Sequence, residues 1–240
     1  MNIFIEIVLL TIIALPTYWI SAVVHELGHI IVGLANGWKM SLLVVGPMGI
    51  KREEDKLSLY FEKNIILWGG IGGVFPTKND VNNVKVWSKV LLGGPIASIL
   101  MGIVFCIIWF FHSNFFLLLL GLMPLSMGIG CLLPVKTGIS YADGERWRRL
   151  RDGGKGEAEE IALLRMLEFE QSGKDASLMQ KSDFEALLDA DYPVHRYLGH
   201  YYLYRYYATQ NETDKKIETL DILNNLKKDV PKVVIESYKL

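Results

Sequence analysis

Cysteine is scarce in this chain of 240 residues, and neither sign of charge is in excess. The two cysteines, Cys106 and Cys131, both fall in apolar segments, so the sequence offers no disulfide framework. The 25 Lys and Arg residues nearly balance the 26 Asp and Glu residues, and a net charge of −1 argues neither for nucleic-acid binding nor for an acidic substrate. No Lys or Arg precedes Lys39, and no small-residue cleavage site follows a short apolar core. The N-terminal segment therefore does not resemble a signal peptide and is predicted to remain.

Long apolar runs, by contrast, occur three times. A helix needs roughly 20 apolar residues to cross a bilayer, and the three runs cover Ile3 to Leu34, Val90 to Phe111 and Phe115 to Pro134. Basic residues crowd the loop after the first run and the stretch from Arg146 to Arg151, whereas residues 112–114 include no Lys or Arg. By the positive-inside rule, the first loop and the C-terminal part are predicted to be cytoplasmic. We therefore predict a multi-pass protein of the cell membrane, with three core crossings in contact with the lipid bilayer.

The loop from Ser41 to Asp80 alternates apolar and polar residues in places, which predicts short strands joined into hairpins. Gly46-Pro47 and Glu53-Glu54-Asp55 supply turn residues. We expect a small β-sheet at the inner face of the membrane, followed by a flexible piece at the glycines of residues 69–73.

Helical patterns dominate the chain after Glu157: "EAEEIALLRMLEFEQ", "KSDFEALLDA", "HRYLGHYYLYRYYATQ" and "TDKKIETLDILNNLKK". The preceding "GERWRRLR" indicates an amphipathic segment, with Trp147 and Leu150 facing lipid and its arginines facing anionic headgroups. The predicted fold is thus mainly α. It is a polytopic membrane protein with three core transmembrane helices and a small inner-face β-sheet in residues 1–150, plus a C-terminal cytoplasmic α-helical bundle in residues 151–240.

A chemically specific motif, "HELGH", lies inside the first apolar run. The four-residue spacing of His25 and His29 puts both imidazoles on one face of a helix, where they can share a zinc ion. Glu26 is one position further round and can act as a base toward water without being a metal ligand. Ionisable groups in an apolar run are costly unless paired, hydrated or metal-bound, which favours a functional site over polar groups satisfied by their neighbours.

A catalytic zinc ion needs a third protein ligand and one open position. Asp143, which closely follows the third apolar run, is the leading candidate, and Glu145 and Asp152 are lesser ones. Taken alone, the Asp-Gly pair at residues 143–144 is more often a turn than a ligand.

At these motifs the chain resembles the site-2 protease family of intramembrane zinc metalloproteases. "HELGH" matches the first family motif, "GGPIAS" matches Gly-Pro-x-x-Asn except at its last position, and "CLLP" followed by "ADG" matches Asn-x-x-Pro followed by Asp-Gly except at its first position. The resemblance covers residues 1 to about 150.

The resemblance implies Zn²⁺ as cofactor, Glu26 as the catalytic base, and metal ligands at His25, His29 and Asp143. It also implies substrate-binding residues in the second and third motifs, which are Gly94, Pro95, Ser98, Cys131 and Pro134.

Two departures from the family pattern concern the third motif. Cys131 stands in place of an asparagine, and the interval from Pro134 to Asp143 is longer than the family's usual spacing. A looped insertion at residues 137–140 is predicted to absorb the extra length.

The function implied is that of a zinc-dependent endopeptidase that hydrolyses peptide bonds of membrane-embedded or membrane-associated proteins or peptides. The altered asparagine position motivates an alternative, a non-catalytic immunity or regulatory protein of the same fold that binds a membrane-active peptide. Metal transport is disfavoured, because a conduction path needs ionisable residues on several crossings. No nucleic-acid partner is expected, and the sequence leaves self-association open.

Overall fold

The computed structural model describes residues 3–53, 56–78, 80–136, 140–173 and 176–238, with side chains described from residue 11 onward except that of residue 176. The chain divides into two compact units. The first comprises three long helices and a small sheet, and the second comprises the shorter helices that follow. Most of the predicted insertion at residues 137–140, and part of the predicted turn at residues 53–55, lie outside the described residues.

Three apolar helices dominate the first unit: α1 (Ile3–Ala35), α2 (Asn83–His112) and α3 (Phe115–Leu132). Each is long and apolar enough to cross a membrane, as judged by length and composition. Large apolar side chains such as Leu100 and Phe110 are exposed on α2, as expected of a surface that faces lipid. The three predicted helices are therefore confirmed, and α1 continues through Pro16 without interruption.

The sheet of the first unit has four antiparallel strands in the order β3-β2-β1-β4. The strands are β1 (Lys39–Val45), β2 (Met48–Glu53), β3 (Lys56–Phe61) and β4 (Ile71–Phe75). The predicted hairpins are confirmed. The predicted flexible piece is wrong, because Gly72 and Gly73 belong to β4, whose ladder of hydrogen bonds with β1 holds the backbone extended.

Two glycines let α1 and α2 approach each other closely. A Cβ atom on Gly28 would lie 2.4 Å from the Gly93 carbonyl oxygen, and one on Gly93 would lie 2.6 Å from the Gly28 carbonyl oxygen. Side chains larger than hydrogen would push the helices apart. This crossing brings the middle of α2 against the "HELGH" turn of α1.

The second unit is helical: α4 (Asp143–Asp152), α5 (Gly154–Gln171), α6 (Ser182–Leu188), α7 (Pro193–Thr209), α8 (Thr213–Leu226) and α9 (Lys232–Ser237). Its core includes the fully buried side chains of Phe184, Leu187, Tyr197, Tyr202 and Leu223. The four predicted bundle helices are confirmed as α5 to α8. α9 was not predicted, because its six residues are too few to show a helical period.

The predicted amphipathic segment is a helix, α4, but its predicted faces are wrong. Leu150 is buried, and the guanidinium groups of Arg146 and Arg149 pair with the carboxylates of Glu160 and Glu159. Buried carboxylates on α5 attract these arginines more strongly than solvent does, because an unpaired buried charge is very costly.

Candidate metal centre

His25 and His29 lie one helical turn apart on α1, and both side chains are buried. Their ring centroids are 5.0 Å apart, with an interplanar angle of 80°. The α-helical period therefore brings the two imidazoles onto one face, as the motif predicted.

The His25 ring is oriented by a residue of α2. Its Nδ1 atom lies 3.0 Å from Oγ of Ser98, whose side chain is fully buried. We assign the proton to Nδ1, which then donates to the hydroxyl oxygen and leaves the lone pair on Nε2 for a metal ion.

The His29 ring is oriented by the backbone of α2. Its Nδ1 atom lies 2.6 Å from the Val90 carbonyl oxygen, and the Gly94 amide nitrogen lies 3.3 Å from the same atom. Nδ1 cannot donate to the carbonyl and accept from the amide at once. The shorter contact decides the tautomer, because a carbonyl oxygen only accepts. Nδ1 therefore carries the proton, and Nε2 is the nitrogen that His29 can offer to a metal.

Gly94 provides the space that the His29 ring occupies. A Cβ atom at this position would lie 2.3 Å from Nε2 of His29 and 2.7 Å from the two adjacent ring carbons. Any side chain here would displace the ring or cover the nitrogen that it can offer to a metal.

Glu26 is half-buried on the neighbouring face of α1, where β4 passes over its carboxylate. A Cβ atom on Gly72 would lie 2.7 Å from Oε2 of Glu26, and one on Gly70 would lie 3.0 Å from Oε1. Sequence reasoning missed this role of the two glycines. The signal available was the run of glycines at residues 69–73, because glycine lets a backbone approach a neighbouring side chain closely.

Asp143 is the first residue of α4. His25, His29 and Asp143 each offer one ligand atom, and these atoms all lie within 4.8 Å of one another, so the group could hold a metal ion. Two imidazole nitrogens and one carboxylate oxygen form a donor set suited to catalytic zinc, with one position left open.

The lesser candidates for the third ligand are engaged in ion pairs. Glu145 accepts two hydrogen bonds from Arg148, at 2.7 and 2.8 Å. Asp152 accepts from Arg148 at 3.4 Å and from Arg151 at 2.7 Å.

The residues predicted to bind substrate fall into two groups. Gly94, Pro95 and Ser98 are buried in α2, two of them against the imidazoles described above. Cys131 is half-buried in the last turn of α3, and Pro134 is exposed just beyond it.

Comparison with known proteins gives one family. The family model of peptidase family M50 matches residues 12–238. The chain belongs to peptidase family M50. M50 is the site-2 protease family, so the resemblance read from the motifs is confirmed, and the M50 match also extends through the helical bundle. M50 membership implies a membrane metalloprotease, and M50 proteases are in general zinc-dependent. A search of curated proteins and a search of solved structures each found no match.

Proposed function

We propose that this M50 protein is a zinc-dependent endopeptidase that cleaves membrane-associated proteins or peptides. His25, His29 and Asp143 would hold the metal, and Glu26 would be the catalytic base. The observation that carries the proposal is the orientation of the two imidazoles. Each uses Nδ1 for a partner on α2 and so offers Nε2 to a metal, within reach of a carboxylate.

A zinc ion held by these residues would supply Lewis acidity, which polarises a scissile carbonyl and makes water a stronger acid. Glu26 takes a proton from the attacking water while the water oxygen bonds to the carbonyl carbon of the scissile peptide bond. Glu26 then delivers that proton to the amide nitrogen as the carbon–nitrogen bond breaks. A base positioned in this way contributes about 10²- to 10⁴-fold to a rate.

The position of β4 supports a peptide as the substrate. β4 is an edge strand of its sheet, and its Gly72 lies against the Glu26 carboxylate. An extended peptide can pair with the backbone of an edge strand, which would place its own backbone near Glu26. A peptide bond in a membrane helix must first be freed from helical hydrogen bonding, and strand pairing supplies replacement bonds.

Residues of the second and third motifs would contact the substrate on the side that faces away from β4. Pro134 is exposed, and Cys131 precedes it at the end of α3. Gly94, Pro95 and Ser98 are buried in α2, and a substrate could meet Gly94 and Ser98 only near the imidazoles that these two residues contact.

We also propose that α1, α2 and α3 cross the cell membrane, with the sheet at its inner face and the C-terminal helices in the cytoplasm. The Lys and Arg residues of the loop after α1 support this orientation. A reporter enzyme that is active only in the cytoplasm, fused after the last residue, should be active. Activity only in a reporter specific for the outer side would contradict the orientation.

A second candidate function rests on Cys131, which replaces the asparagine of the family motif. A chain that holds a membrane-active peptide without cleaving it would need the fold but not the base. Such an immunity or regulatory protein would keep its activity in cells when Glu26 is changed.

The decisive experiment compares membrane peptides from cells that produce the parent, Glu26→Gln or, as a matched control, Glu53→Gln. Glu53 is exposed on β2 and pairs with Lys51, so its change should be silent. We expect at least one peptide to accumulate only with Glu26→Gln. Incubating that peptide with purified parent protein should yield defined fragments.

Equal cleavage by the parent and Glu26→Gln would refute the mechanism. Activity in cells that survives both Glu26→Gln and His25→Ala would favour the binding protein over the peptidase.

A further inference from the structure

Two arginines follow Asp143 on α4 at a spacing that places them near its side of the helix. Arg146 and Arg149 follow Asp143 at intervals of three residues on α4, so the three side chains project from neighbouring positions of one helix face. Whatever fixes the arginines therefore also limits the movement of the first turn of α4.

Two buried glutamates of α5 receive these arginines. Nη2 of Arg146 lies 2.8 Å from Oε2 of Glu160, and Nη2 of Arg149 lies 2.5 Å from Oε2 of Glu159. Both glutamate side chains are fully buried. Two positive charges balance two negative ones, which is the condition under which buried charges persist in a folded protein.

Arg149 also contacts the chain on the other side of Asp143. Its guanidinium carbon lies 4.3 Å from the ring centroid of Tyr141, a buried residue two positions before Asp143. A guanidinium over an aromatic face is attracted by the ring as well as by its carboxylate partner. Arg149 thus connects the segment before Asp143, the helix after it, and α5.

A histidine of α7 contacts both Glu159 and Tyr141. Nδ1 of His195 lies 3.3 Å from Oε2 of Glu159, and the His195 ring packs edge-on against Tyr141 with centroids 5.5 Å apart. Burial alone would raise the pKa of the Glu159 carboxyl, but His195 and Arg149 outweigh burial, and this pKa lies below its ordinary value. Glu159 is therefore held as the anion that Arg149 requires.

We propose that Arg149 is a positioning residue for the metal centre, which fixes the Asp143 carboxylate by holding residues 141–149 against the buried glutamates of α5. The inference rests on the proposed function, in which Asp143 is a ligand. It gives the C-terminal bundle a part in catalysis, because the bundle supplies the anchors for the third ligand.

The test measures zinc affinity of the full-length protein in detergent against a competing chelator. Arg149→Met removes the guanidinium, and Arg149→Lys keeps the charge for Glu159 but loses the planar fork that reaches Tyr141. Arg151→Met is the matched control, because Arg151 lies on the same helix, is exposed, and contacts Asp152 and the Trp147 ring of α4 itself. We expect both Arg149 variants to bind zinc about tenfold more weakly or worse, as for other residues that orient metal ligands, and Arg151→Met to match the parent.

A merely structural role would lower the melting temperature without acting through Asp143. We therefore repeat the Arg149 changes in the Asp143→Ala background, where the additional loss of zinc affinity should vanish. With cobalt(II) in place of zinc, the visible absorption bands of Arg149→Lys should also shift, because they report ligand geometry.

The outcomes separate the inference from the proposed function. Parent-like zinc affinity and cobalt spectra in Arg149→Lys would overturn the inference, even if Arg149→Met fails to fold. A loss that persists undiminished in Asp143→Ala would overturn it as well. Parent-like affinity in Asp143→Ala alone would instead overturn the proposed ligand set.

Discussion

Replacing Gly94 with alanine is the sharpest test of the metal centre, because one methyl group reaches the ring of a proposed ligand. The added Cβ would lie 2.3 Å from Nε2 of His29. A carbon atom needs about 3.5 Å from its neighbour, so the ring must move by about 1 Å. The shift falls on the nitrogen that would bind zinc.

A zinc site tolerates only a small displacement of a ligand nitrogen. Zinc–nitrogen bonds are about 2.0–2.1 Å long, and acceptable sites stay within about 0.2 Å of that length. The His29 ring cannot rotate freely to compensate, since its Nδ1 atom is held 2.6 Å from the Val90 carbonyl oxygen. We expect Gly94→Ala to weaken zinc binding at least about a hundredfold, which corresponds to about 2.8 kcal/mol.

The assay is zinc affinity by chelator competition, with far-ultraviolet circular dichroism and a thermal melt on the same samples. Gly130→Ala is the matched control, because Gly130 also lies inside an apolar helix, α3, and a Cβ there meets nothing within 4 Å. Alanine favours a helix over glycine by up to about 1 kcal/mol, so this control should bind zinc like the parent and melt no lower. A folded Gly94→Ala protein with the parent's zinc affinity would refute the assignment of Nε2 of His29 as a ligand.

Three further predictions concern the surroundings of the site. Ser98→Ala should weaken zinc binding about tenfold or more, measured by the same competition, because His25 loses the hydroxyl that orients its ring. Gly72→Ala should lower peptidase turnover about a hundredfold with zinc affinity retained, because its Cβ displaces the Glu26 carboxylate, a base and not a ligand. Glu159 has a lowered pKa, so its stabilising effect is complete above its ordinary value of 4.5 and is lost as pH falls through the lowered pKa. Glu159→Gln should therefore show a smaller loss of melting temperature below pH 4.5 than the parent, measured by thermal melts across pH.

Matched controls exist for two of these changes, Ser98→Ala and Glu159→Gln. Ser126→Ala removes a hydroxyl that bonds a carbonyl on the exposed face of α3, and Glu218→Gln removes an exposed carboxylate of α8. Ser126→Ala with the same zinc loss as Ser98→Ala would contradict a specific effect on His25. Loss of zinc together with turnover in Gly72→Ala would contradict the separation of base from ligands. Identical acid profiles for Glu159→Gln and the parent would show that the buried carboxylate is not the group that titrates.

Much of the secondary structure was readable from the sequence because its signals are local. Unbroken apolar runs predicted α1 to α3, alternation predicted the hairpins of the sheet, and a 3.6-residue period predicted α5 to α8. α4 was predicted as a segment, but its faces were assigned to lipid and headgroups. That error arose because nothing within "GERWRRLR" indicates that two glutamates of α5 are buried and that their charges must be paired.

The candidate site also contains residues that a local motif predicts and residues that it cannot predict. The motif alone supplied His25, Glu26 and His29, since residues one helical turn apart share a face in any helix. It could not supply Ser98, which is 73 positions from His25 along the chain, or identify Gly72 as the residue above the Glu26 carboxylate.

The amino-acid sequence by itself determined the family, the three apolar helices and the chemical identity of the proposed ligand pair, because periodicity, length and side-chain type are local properties. Tertiary structure alone decided which nitrogen each imidazole offers, how much room each ring has, and which arginines pair with buried carboxylates. Those features depend on contacts between α1 and α2, between β4 and Glu26, and between α4 and α5, and close packing over such separations leaves no local trace in the sequence.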